Sequence, residues 1–354
     1  MANLELFNLG KVPWLESQLI YHALADLGRE ALSLVSPATP YVCIGFHQDV
    51  EQEVDLDFCK KNNIPVFRRN LGGGAVYLDG HQLFFHLILH RSNSAIPKGK
   101  ISFYKKFLQP VINVYRHIGI AADYKPVNDV IVETRKISGT GAAELGDCIV
   151  FVGNLIVDFD YDMMSRVLKV PDEKFRDKVH KTIKENLTTI RRELGDENTG
   201  QWDDTQLNAL MAEEFQKLMG PMQLSVIDHE LQTKMDELKN VMLSDDWLFQ
   251  KERRQKPGRD INIRAGAKII HRVHKAPGGL IRADFEVIDE YFGNVYISGD
   301  FFCYPESGIE WLESALYGQP VSQVGALLKE FYTENPIETP GIEIDDWLEI
   351  LTVK

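Results

Sequence analysis

The chain has 354 residues and a formal net charge of −13 at pH 7. This length exceeds that of the usual single domain, so a large domain and a smaller one are expected. Because nucleic-acid phosphates attract basic surfaces, the acidic charge argues against nucleic acid as a partner. The first residues lack a basic segment leading into an apolar stretch, and no apolar run reaches the length of a membrane span. We therefore expect a soluble, cytoplasmic protein without membrane contacts.

The first half of the chain alternates helical and β-rich segments, which predicts an α/β layer. A helix is expected over residues 15–26, followed by a strand at YVCIGF, a short helix at DVEQEVDLDFCKKNN and a strand at IPVFRR. The run AVYLDGHQLFFHLIL alternates strongly enough for a strand pair. The segment ISFYKKFLQPVINVYRHIG predicts a packed helix despite Pro110, and a hairpin is expected around the glycines of KISGTGAAELGD.

The second half opens with a helical zone from Tyr161 to about Leu243. The polar segment Lys251–Asp260 has the composition of a junction. Beyond it, alternating residues with Gly and Pro punctuation predict a small antiparallel sheet, covered by two helices around Trp311–Leu316 and Val321–Tyr332. The expected fold class is α/β of the α+β type, with a central mixed or antiparallel sheet flanked by helices and a small α+β C-terminal domain.

The run RRNLGGGAVYLDG is the first motif with chemical content. Three consecutive glycines let bare backbone approach a ligand closely, and the doubled arginine supplies fixed positive charge beside them. Such a combination suits an anionic or acyl-phosphate group. Taken alone, a triple glycine is more often a bulge or a flexible turn than a ligand-binding loop.

The second motif is TRKISGTG, where Lys136 ends a β-rich run immediately before Ser138 and Gly139. An ammonium beside glycines can hold a phosphate or a carboxylate, although a single lysine is often only an exposed strand-end residue. Upstream, Asn128 and Asp129 supply a neutral and an anionic oxygen to the same region, or cap an Asx-type turn.

A basic stretch stands out in this acidic chain. The sequence LKVPDEKFRDKVHKTIKENLTTIRREL concentrates lysines and arginines among fewer acidic residues. It predicts either a solvated helix face or a docking surface for an acidic partner.

The cysteines and histidines form weaker patterns. The cysteines lack C-x-x-C spacing, which predicts reduced structural thiols at Cys43, Cys59, Cys148 and Cys303. His271 and His274 lie three residues apart in a strand-like segment, so they point to opposite faces and favour packing over a metal site. His81 and His86 flank the β-rich run after the glycines and could reach the pocket, but neither has a partner at a defined spacing that would indicate an active role.

Taken in order, these stretches resemble the lipoate–protein ligase family, within the wider lipoyl and biotinyl ligase superfamily. The similarity rests on YVCIGFHQDVEQEVDLDFC, IPVFRRNLGGGAVYLDG, NDVIVETRKISGTG, VGNLIVDFDYDMMSRVLKV and ENLTTI. The later segments DDWLF and GNVYISGDFF are similar to parts of the family's C-terminal accessory domain. The resemblance implies a class II synthetase-like catalytic domain over residues 1–244 and an accessory domain over residues 245–354.

The resemblance also implies a two-step activity. Lipoate or octanoate is activated with ATP and Mg²⁺ to acyl-AMP, and the acyl group passes to a lysine of a lipoyl domain or of a glycine-cleavage H-like carrier protein. Lys136 matches the family's essential lysine, Arg69 is expected near the acyl end or a phosphate, and Asp129 is a candidate ligand for the Mg²⁺ carried by ATP. An apolar tunnel for the acyl chain is expected around Val76, Tyr77, Phe84 and Phe85. The residues expected to bind substrate or adenylate are Arg69, Gly72, Gly73, Gly74, Ala75, Val76, Tyr77, Asn128, Asp129, Ser138, Gly139, Gly153 and Asn154.

Three positions depart from the family pattern. Leu71 stands where many members have serine, and Leu78 stands where they have the histidine of YHD. The segment Phe151–Asn154, FVGN, replaces the family's HHGT. A polar contact near the acyl-adenylate is therefore either missing or taken over by Asn154.

Two alternatives follow from these departures. Octanoyltransferases on this fold use a cysteine nucleophile, in one branch shortly upstream of the lysine motif, but Pro126–Asp129 contains none. A non-catalytic paralogue that binds lipoyl-adenylate or lipoylated carriers is the second alternative, and the retained Lys136 argues against it. Biotin ligases are a poorer match, because their glycine motif interleaves basic residues.

Overall fold

The computed structural model of the protein describes residues 4–126, 128–251, 261–264 and 267–353. The chain divides into two compact units. The first comprises Met1–Cys43, Val54–Phe67 and Val76–Ser244, and the second comprises Ile44–Glu53, Arg68–Ala75 and Asp245–Lys354. Most of the predicted junction, residues 252–260, lies outside the described residues. The division into domains 1–244 and 245–354 stays a prediction.

The strands, in chain order, are β1 Glu5–Val12, β2 Ala31–Pro37, β3 Tyr41–Ile44, β4 Val66–Arg68, β5 Val76–Leu78, β6 Gln82–His90, β7 Asp123–Lys125, β8 Asp129–Val132, β9 Arg135–Ser138, β10 Thr140–Leu145, β11 Cys148–Ile156, β12 Gln223–Leu224, β13 Ile261–Arg264, β14 Ala267–Ala276, β15 Gly279–Ile288 and β16 Tyr291–Gly299. The helices are α1 Glu16–Asp26, α2 Val50–Glu53, α3 Leu56–Lys61, α4 Lys100–Phe107, α5 Gln109–His117, α6 Tyr161–Val167, α7 Glu173–Asn186, α8 Ile190–Thr199, α9 Asp204–Met219, α10 His229–Met242, α11 Asp245–Leu248, α12 Gly308–Leu316, α13 Val324–Glu334 and α14 Ile344–Leu351, with a 3₁₀ turn at Val321–Gln323.

A six-stranded sheet in the order β10-β11-β6-β2-β1-β12 forms the centre of the first unit. β1 pairs in parallel with β2 and β12, whereas β2 with β6, β6 with β11 and β11 with β10 pair antiparallel. Two three-stranded sheets accompany it, β4-β3-β5 and β7-β8-β9. The central mixed sheet and its helices confirm the predicted fold class.

The two faces of the central sheet differ in polarity. On β6, Leu83, Phe85 and Leu87 join a large apolar cluster with residues of α4, α5 and α9. Because side chains alternate along a strand, Phe84 and His86 lie on the opposite face. There the ring of His86 lies 4.7 Å from that of Tyr21 on α1. Neighbouring residues along β6, and likewise along β11, therefore belong to different faces of the sheet and cannot contribute to the same site.

Several local predictions were wrong. β5 and β6, which were expected to pair, lie in different sheets, since β5 pairs with β3. The helix expected across Pro110 is two helices that meet at Leu108, with Pro110 in the first turn of α5, where a missing N–H costs little. β1 and β2, on either side of the opening helix, were not predicted. β2 is buried at every residue and therefore lacks the alternation that marks a half-buried strand.

The C-terminal part of the second unit contains a four-stranded sheet in the order β13-β14-β15-β16, with antiparallel neighbours. Its apolar cluster includes residues of α12, α13 and α14. The indole of Trp347 is fully buried and donates to the Tyr332 hydroxyl at 2.7 Å. The predicted small sheet and its two helices are confirmed, but α14 was missed. Asp345 and Asp346 in its first turn, next to an apolar stripe, were the available signal.

Candidate active site

Lys136 and Asp129 face each other on a hairpin of the first unit. β8 and β9 pair antiparallel, with Val130 opposite Ser138 and Ile131 opposite Lys136. The Nζ atom of Lys136 lies 2.6 Å from Oδ1 of Asp129, and the two side chains are 36% and 29% exposed. A partly exposed ion pair contributes only about 0–1 kcal/mol, so an incoming anion can replace Asp129 at little cost.

Asn154 joins the turn that follows Lys136 to the central sheet. The Ser138 hydroxyl donates to the Asn154 carbonyl at 2.6 Å, and the Gly139 N–H donates to the Asn154 side-chain oxygen at 2.9 Å. A Cβ atom placed on Gly139 would lie 3.7 Å from Cε of Lys136. Of the predicted residues, Ser138, Gly139 and Asn154 are therefore grouped with Lys136.

Asn128 closes the same turn from the other side. Its amide donates to the Thr140 carbonyl, and the Thr140 hydroxyl donates to the Asn128 carbonyl. Asn128 thus ties the start of β8 to β10. The single hairpin expected around the glycines is two hairpins, β8–β9 and β10–β11, and Gly146 takes a φ of 56° in the second. Gly146 therefore supplies the left-handed conformation that a tight two-residue turn requires.

Gly153 is explained by packing. It lies opposite Phe85 in the pairing of β11 with β6, and a Cβ atom on Gly153 would lie 2.5 Å from the Phe85 ring. Phe85 belongs to the apolar cluster on the helical face of the sheet, and Phe84 lies on the opposite face. Phe84 and Phe85 therefore cannot line one tunnel, and this part of the prediction was wrong.

The other two residues expected at the tunnel, Val76 and Tyr77, lie on β5. Val76 is 36% exposed, whereas Tyr77 is buried, and burial raises the pKa of Tyr77 to about 12.

Arg69 organises the glycine run in the second unit. Its guanidinium donates to the carbonyls of Gly72 at 2.8 Å and Gly74 at 3.0 Å, which curls the run around the charge. The Gly73 N–H donates to the Phe301 carbonyl at 3.1 Å. This N–H was expected to face an adenylate, but in this structure it is used within the protein. Ala75, the last residue of the segment, is half-buried.

The glycines allow the run to pack on the segment that follows β16. A Cβ atom on Gly72 would lie 2.5 Å from the Phe301 carbonyl oxygen, and one on Gly73 would lie 3.1 Å from the Phe302 ring. Gly73 also has a φ of 92°, which strains any other residue. The same position on Gly74 would meet Asp300 only at 3.7 Å. Close packing therefore requires the first two glycines but not the third.

Arg68 has a structural role that the sequence did not predict. Its side chain is fully buried and donates to the carbonyl groups of Gly45, Phe46, Gln48, Trp247 and Leu248. The Trp247 indole returns a bond to the Arg68 carbonyl at 2.9 Å. The two departures near these residues, Leu71 and Leu78, are both buried apolar side chains.

Buried imidazoles and thiols stay uncharged. Burial lowers the pKa of His86 to about 3, so this ring is neutral at physiological pH, whereas His81 is exposed. Burial raises the pKa of Cys59 and Cys148 to about 11 and that of Cys303 to about 12. Cys43 is also buried.

The histidines of β14 pair with carboxylates. His271 bonds to Asp284, and His274 bonds to Asp346 at 2.7 Å. Within the described parts of the chain, no group of three or more His, Cys, Asp or Glu residues could hold a metal ion. Both histidines thus have protein partners, in keeping with packing.

The basic stretch forms α7 and the first half of α8, with the segments that flank α7. The lysines at 174, 178, 181 and 184 are exposed, and the Arg176 guanidinium donates to the carbonyls of Ser165 and Arg166. Both interpretations, a solvated face and a docking surface, remain open.

Among the described residues, no helix combines the length and the apolar character needed to cross a bilayer.

Residues 14–216 match the family described as the lipoyl protein ligase A/B catalytic domain. The chain therefore belongs to this family, which confirms the resemblance seen in the sequence. Lipoate-protein ligase A subunit 1 of Thermoplasma acidophilum is 36% identical over 159 residues, which cover 42% of this chain and 59% of that protein. The chain thus spans less than two thirds of this relative's length. Octanoyltransferases are also among the proteins that it matches.

Solved structures agree with this assignment. A bipartite lipoate protein ligase studied with its E2 lipoyl domain, from Thermoplasma acidophilum, has a TM-score of 0.63 at 26% identity, covering 73% of this chain and 100% of that chain. Lipoate-protein ligase A bound with ATP has a TM-score of 0.58 at 23% identity, covering 70% of this chain and 98% of that chain. The second likeness shows the fold alone.

Proposed function

We propose that the protein is an ATP-dependent lipoate–protein ligase, which activates lipoate or octanoate and transfers the acyl group to a lysine of a lipoyl domain or H-like carrier protein. One observation carries this proposal: in a chain of the ligase family, the Lys136 ammonium lies 2.6 Å from the partly exposed carboxylate of Asp129. Its neighbours Gly139 and Asn154 are fixed by hydrogen bonds. The charge is thus positioned but can still exchange Asp129 for a substrate anion.

The chemistry requires such a cation twice. A carboxylate oxygen of the acid attacks the α-phosphorus of ATP, the bond to pyrophosphate breaks, and acyl-AMP forms. The amine of the carrier lysine then attacks the acyl carbonyl, AMP leaves, the amine loses a proton and an amide forms. Negative charge develops on phosphate oxygens in the first step and on the carbonyl oxygen in the second. A preorganised ammonium stabilises both transition states.

Magnesium would take most of its ligands from ATP. Mg²⁺ prefers six oxygen ligands, often a few carboxylates together with substrate phosphates and water. On the hairpin, Asp129 offers a carboxylate whose Oδ1 is paired with Lys136. Asp129 fits the role of a single protein ligand, provided that Lys136 shifts to a phosphate when the nucleotide binds.

The cysteines favour a ligase over a thioester-forming transferase. A transferase of that kind needs a thiolate, and burial raises the pKa of Cys59, Cys148 and Cys303 to about 11 or 12. At neutral pH these thiols are almost entirely protonated and withdrawn from solvent. Cys43 is buried as well.

The test is adenylation followed by transfer. Purified protein with ATP, Mg²⁺ and lipoate should release pyrophosphate, and a purified lipoyl domain or H protein should gain the mass of a lipoyl group. Lys136→Ala should lower the adenylation rate by about 100- to 1000-fold, because a preorganised charge is lost. Lys125→Ala, which removes an exposed lysine from β7 of the same small sheet, is the matched control.

The alternatives predict other results. A binding paralogue would retain lipoyl-adenylate in a binding assay without releasing pyrophosphate from ATP and lipoate. A transferase would move an octanoyl group between carrier proteins without ATP. An unchanged rate in Lys136→Ala would show that this residue has a different role.

A further inference from the structure

A chain of side-chain amides crosses the polar face of the central sheet. The Gly139 N–H donates to Oδ1 of Asn154 at 2.9 Å, and Nδ2 of Asn154 donates to Oε1 of Gln82 at 2.9 Å. Nε2 of Gln82 then donates to the Tyr77 carbonyl at 3.2 Å. Each group accepts from one neighbour and donates to the next, so the bonds all run in one direction and reinforce one another.

The chain of amides joins β5 to the turn after β9, and both carry predicted site residues. Tyr77 lies at the centre of β5, and Gly139 lies in the turn directly after β9, which carries Lys136. Gln82 and Asn154 are 1% and 8% exposed, so water cannot readily replace a lost bond. The four residues therefore link β5 to the Lys136 hairpin; the two bonds of Gln82 are buried, and the bond between Gly139 and Asn154 is partly buried.

Position 154 gives this link its reach. Asn154 stands opposite Phe84 in the pairing of β11 with β6, on the face away from the large apolar cluster. Its side-chain amide accepts from the Gly139 N–H and donates to Gln82 at the same time.

We propose that Gln82 and Asn154 are positioning residues, which fix the distance between the β5 segment and the Lys136 ammonium during acyl adenylation. This inference rests on the ligase function proposed above, and it assigns no contact with substrate to Gln82. In this arrangement Asn154 supports both the turn after Lys136 and the central sheet. Loosening either bond shifts a charge that must meet the reacting carboxylate and phosphate, and small displacements at such a point are costly.

A double-mutant cycle tests the link. Asn154→Ala and Gln82→Ala should each lower kcat for adenylation about tenfold, the equivalent of one hydrogen bond, and leave the KM for ATP within about twofold. The double variant should lose no more than the worse single variant, because each change already breaks the chain. Independent contributions would instead multiply to about a hundredfold and would overturn the proposal.

Hydrogen exchange gives a readout that does not depend on activity. The Gly139 amide should exchange faster in Asn154→Ala and in Gln82→Ala than in the wild type. Asn154→Asp keeps the acceptor for Gly139 but loses the donor to Gln82, so it should protect Gly139 better than the alanine does. Unchanged exchange in Gln82→Ala would refute the coupling. If the wild-type protein shows no acyl adenylation but the exchange rates of Gly139 change as expected, the proposed function is refuted while the hydrogen-bond chain through Gln82 and Asn154 stands.

Ile112→Val provides the stability control. Ile112 lies on α5 in the apolar cluster, and the substitution removes one methylene from the core, which lowers stability without touching the amide chain. Its kcat and its Gly139 exchange should match the wild type. A tenfold loss of kcat in this variant would show that adenylation responds to stability in general and would remove the case for positioning.

Discussion

The glycine run and the Lys136 hairpin show opposite uses of positive charge beside glycine. In the glycine run, Arg68 is fully buried and Arg69 half-buried, and both guanidiniums donate to backbone carbonyls of their own unit. On the hairpin, Lys136 pairs with the partly exposed carboxylate of Asp129. The arginines therefore shape loops, while the lysine charge remains available for exchange.

The difference follows from the chemistry of the two cations. A guanidinium has five N–H donors in a rigid plane and can satisfy several carbonyls at once, whereas an ammonium is a compact charge that changes partners easily. A loop that leaves many carbonyls pointing inward thus suits arginine. A site that must accept a new anion in each turnover suits lysine. Residue type and glycine spacing alone do not separate these cases, but the number of nearby carbonyls does.

The largest expected effect comes from removing the Arg68 guanidinium. Arg68→Met keeps the volume but leaves buried carbonyls of residues 45, 46, 48, 247 and 248 without this donor. We expect the free energy of unfolding to fall by about 3–5 kcal/mol, measured by urea denaturation. Arg69→Met removes the donor to the Gly72 and Gly74 carbonyls at a half-buried position, and it should lower the free energy of unfolding by about 1–2 kcal/mol. Equal losses in the two variants would contradict the structural role of Arg68.

The glycines themselves offer a matched series. Gly72→Ala would place Cβ 2.5 Å from the Phe301 carbonyl oxygen, and the backbone must move to relieve this overlap. Gly74→Ala meets only an ordinary contact at 3.7 Å. We expect Gly72→Ala to cost about 1–3 kcal/mol and Gly74→Ala to stay within about 0.5 kcal/mol, by thermal or chemical denaturation. If Gly74→Ala nevertheless abolishes adenylation while the fold is intact, the third glycine serves a ligand and not packing.

The sequence was informative where local pattern and chemistry coincide. The order of motifs identified the family. Asp129, Ser138 and Gly139 lie close to Lys136 in the structure because all of them belong to one hairpin and the turn that follows it. Pairing of strands far apart in the chain was less accessible. β5 was assigned to β6 because they are adjacent in sequence, but their hydrogen-bond partners come from elsewhere.

The remaining wrong predictions arose because the burial of a side chain depends on contacts with residues far away in the sequence. Arg68 and Arg69 are identical in type and consecutive in sequence, and their different exposure arises from contacts with residues about 180 positions later. Phe84 and Phe85 likewise separate onto two faces only when β6 is placed in its sheet. Gln82 carried no motif at all, and its role depends on Asn154, which lies 72 residues away along the chain. Such long-range pairings leave no local pattern to find.

Buried imidazoles extend the comparison to groups that remain neutral. Burial lowers the pKa of His22 to about 4 and that of His86 to about 3. Between these values and about pH 6.5, both imidazoles are protonated in the unfolded chain but neutral in the folded chain. Stability is therefore fully present above pH 6.5 and falls as the pH decreases. Each histidine should lower the free energy of unfolding by roughly 1–2 kcal/mol between pH 7 and pH 5, as measured by urea denaturation at pH 7 and at pH 5. His86→Leu should flatten this dependence, and His229→Gln, which changes an exposed histidine, should leave it as in the wild type. If His86→Leu retained the full dependence, His86 would have to be accessible to protons in the folded state, and the polar face of the sheet would be open to solvent beside α1.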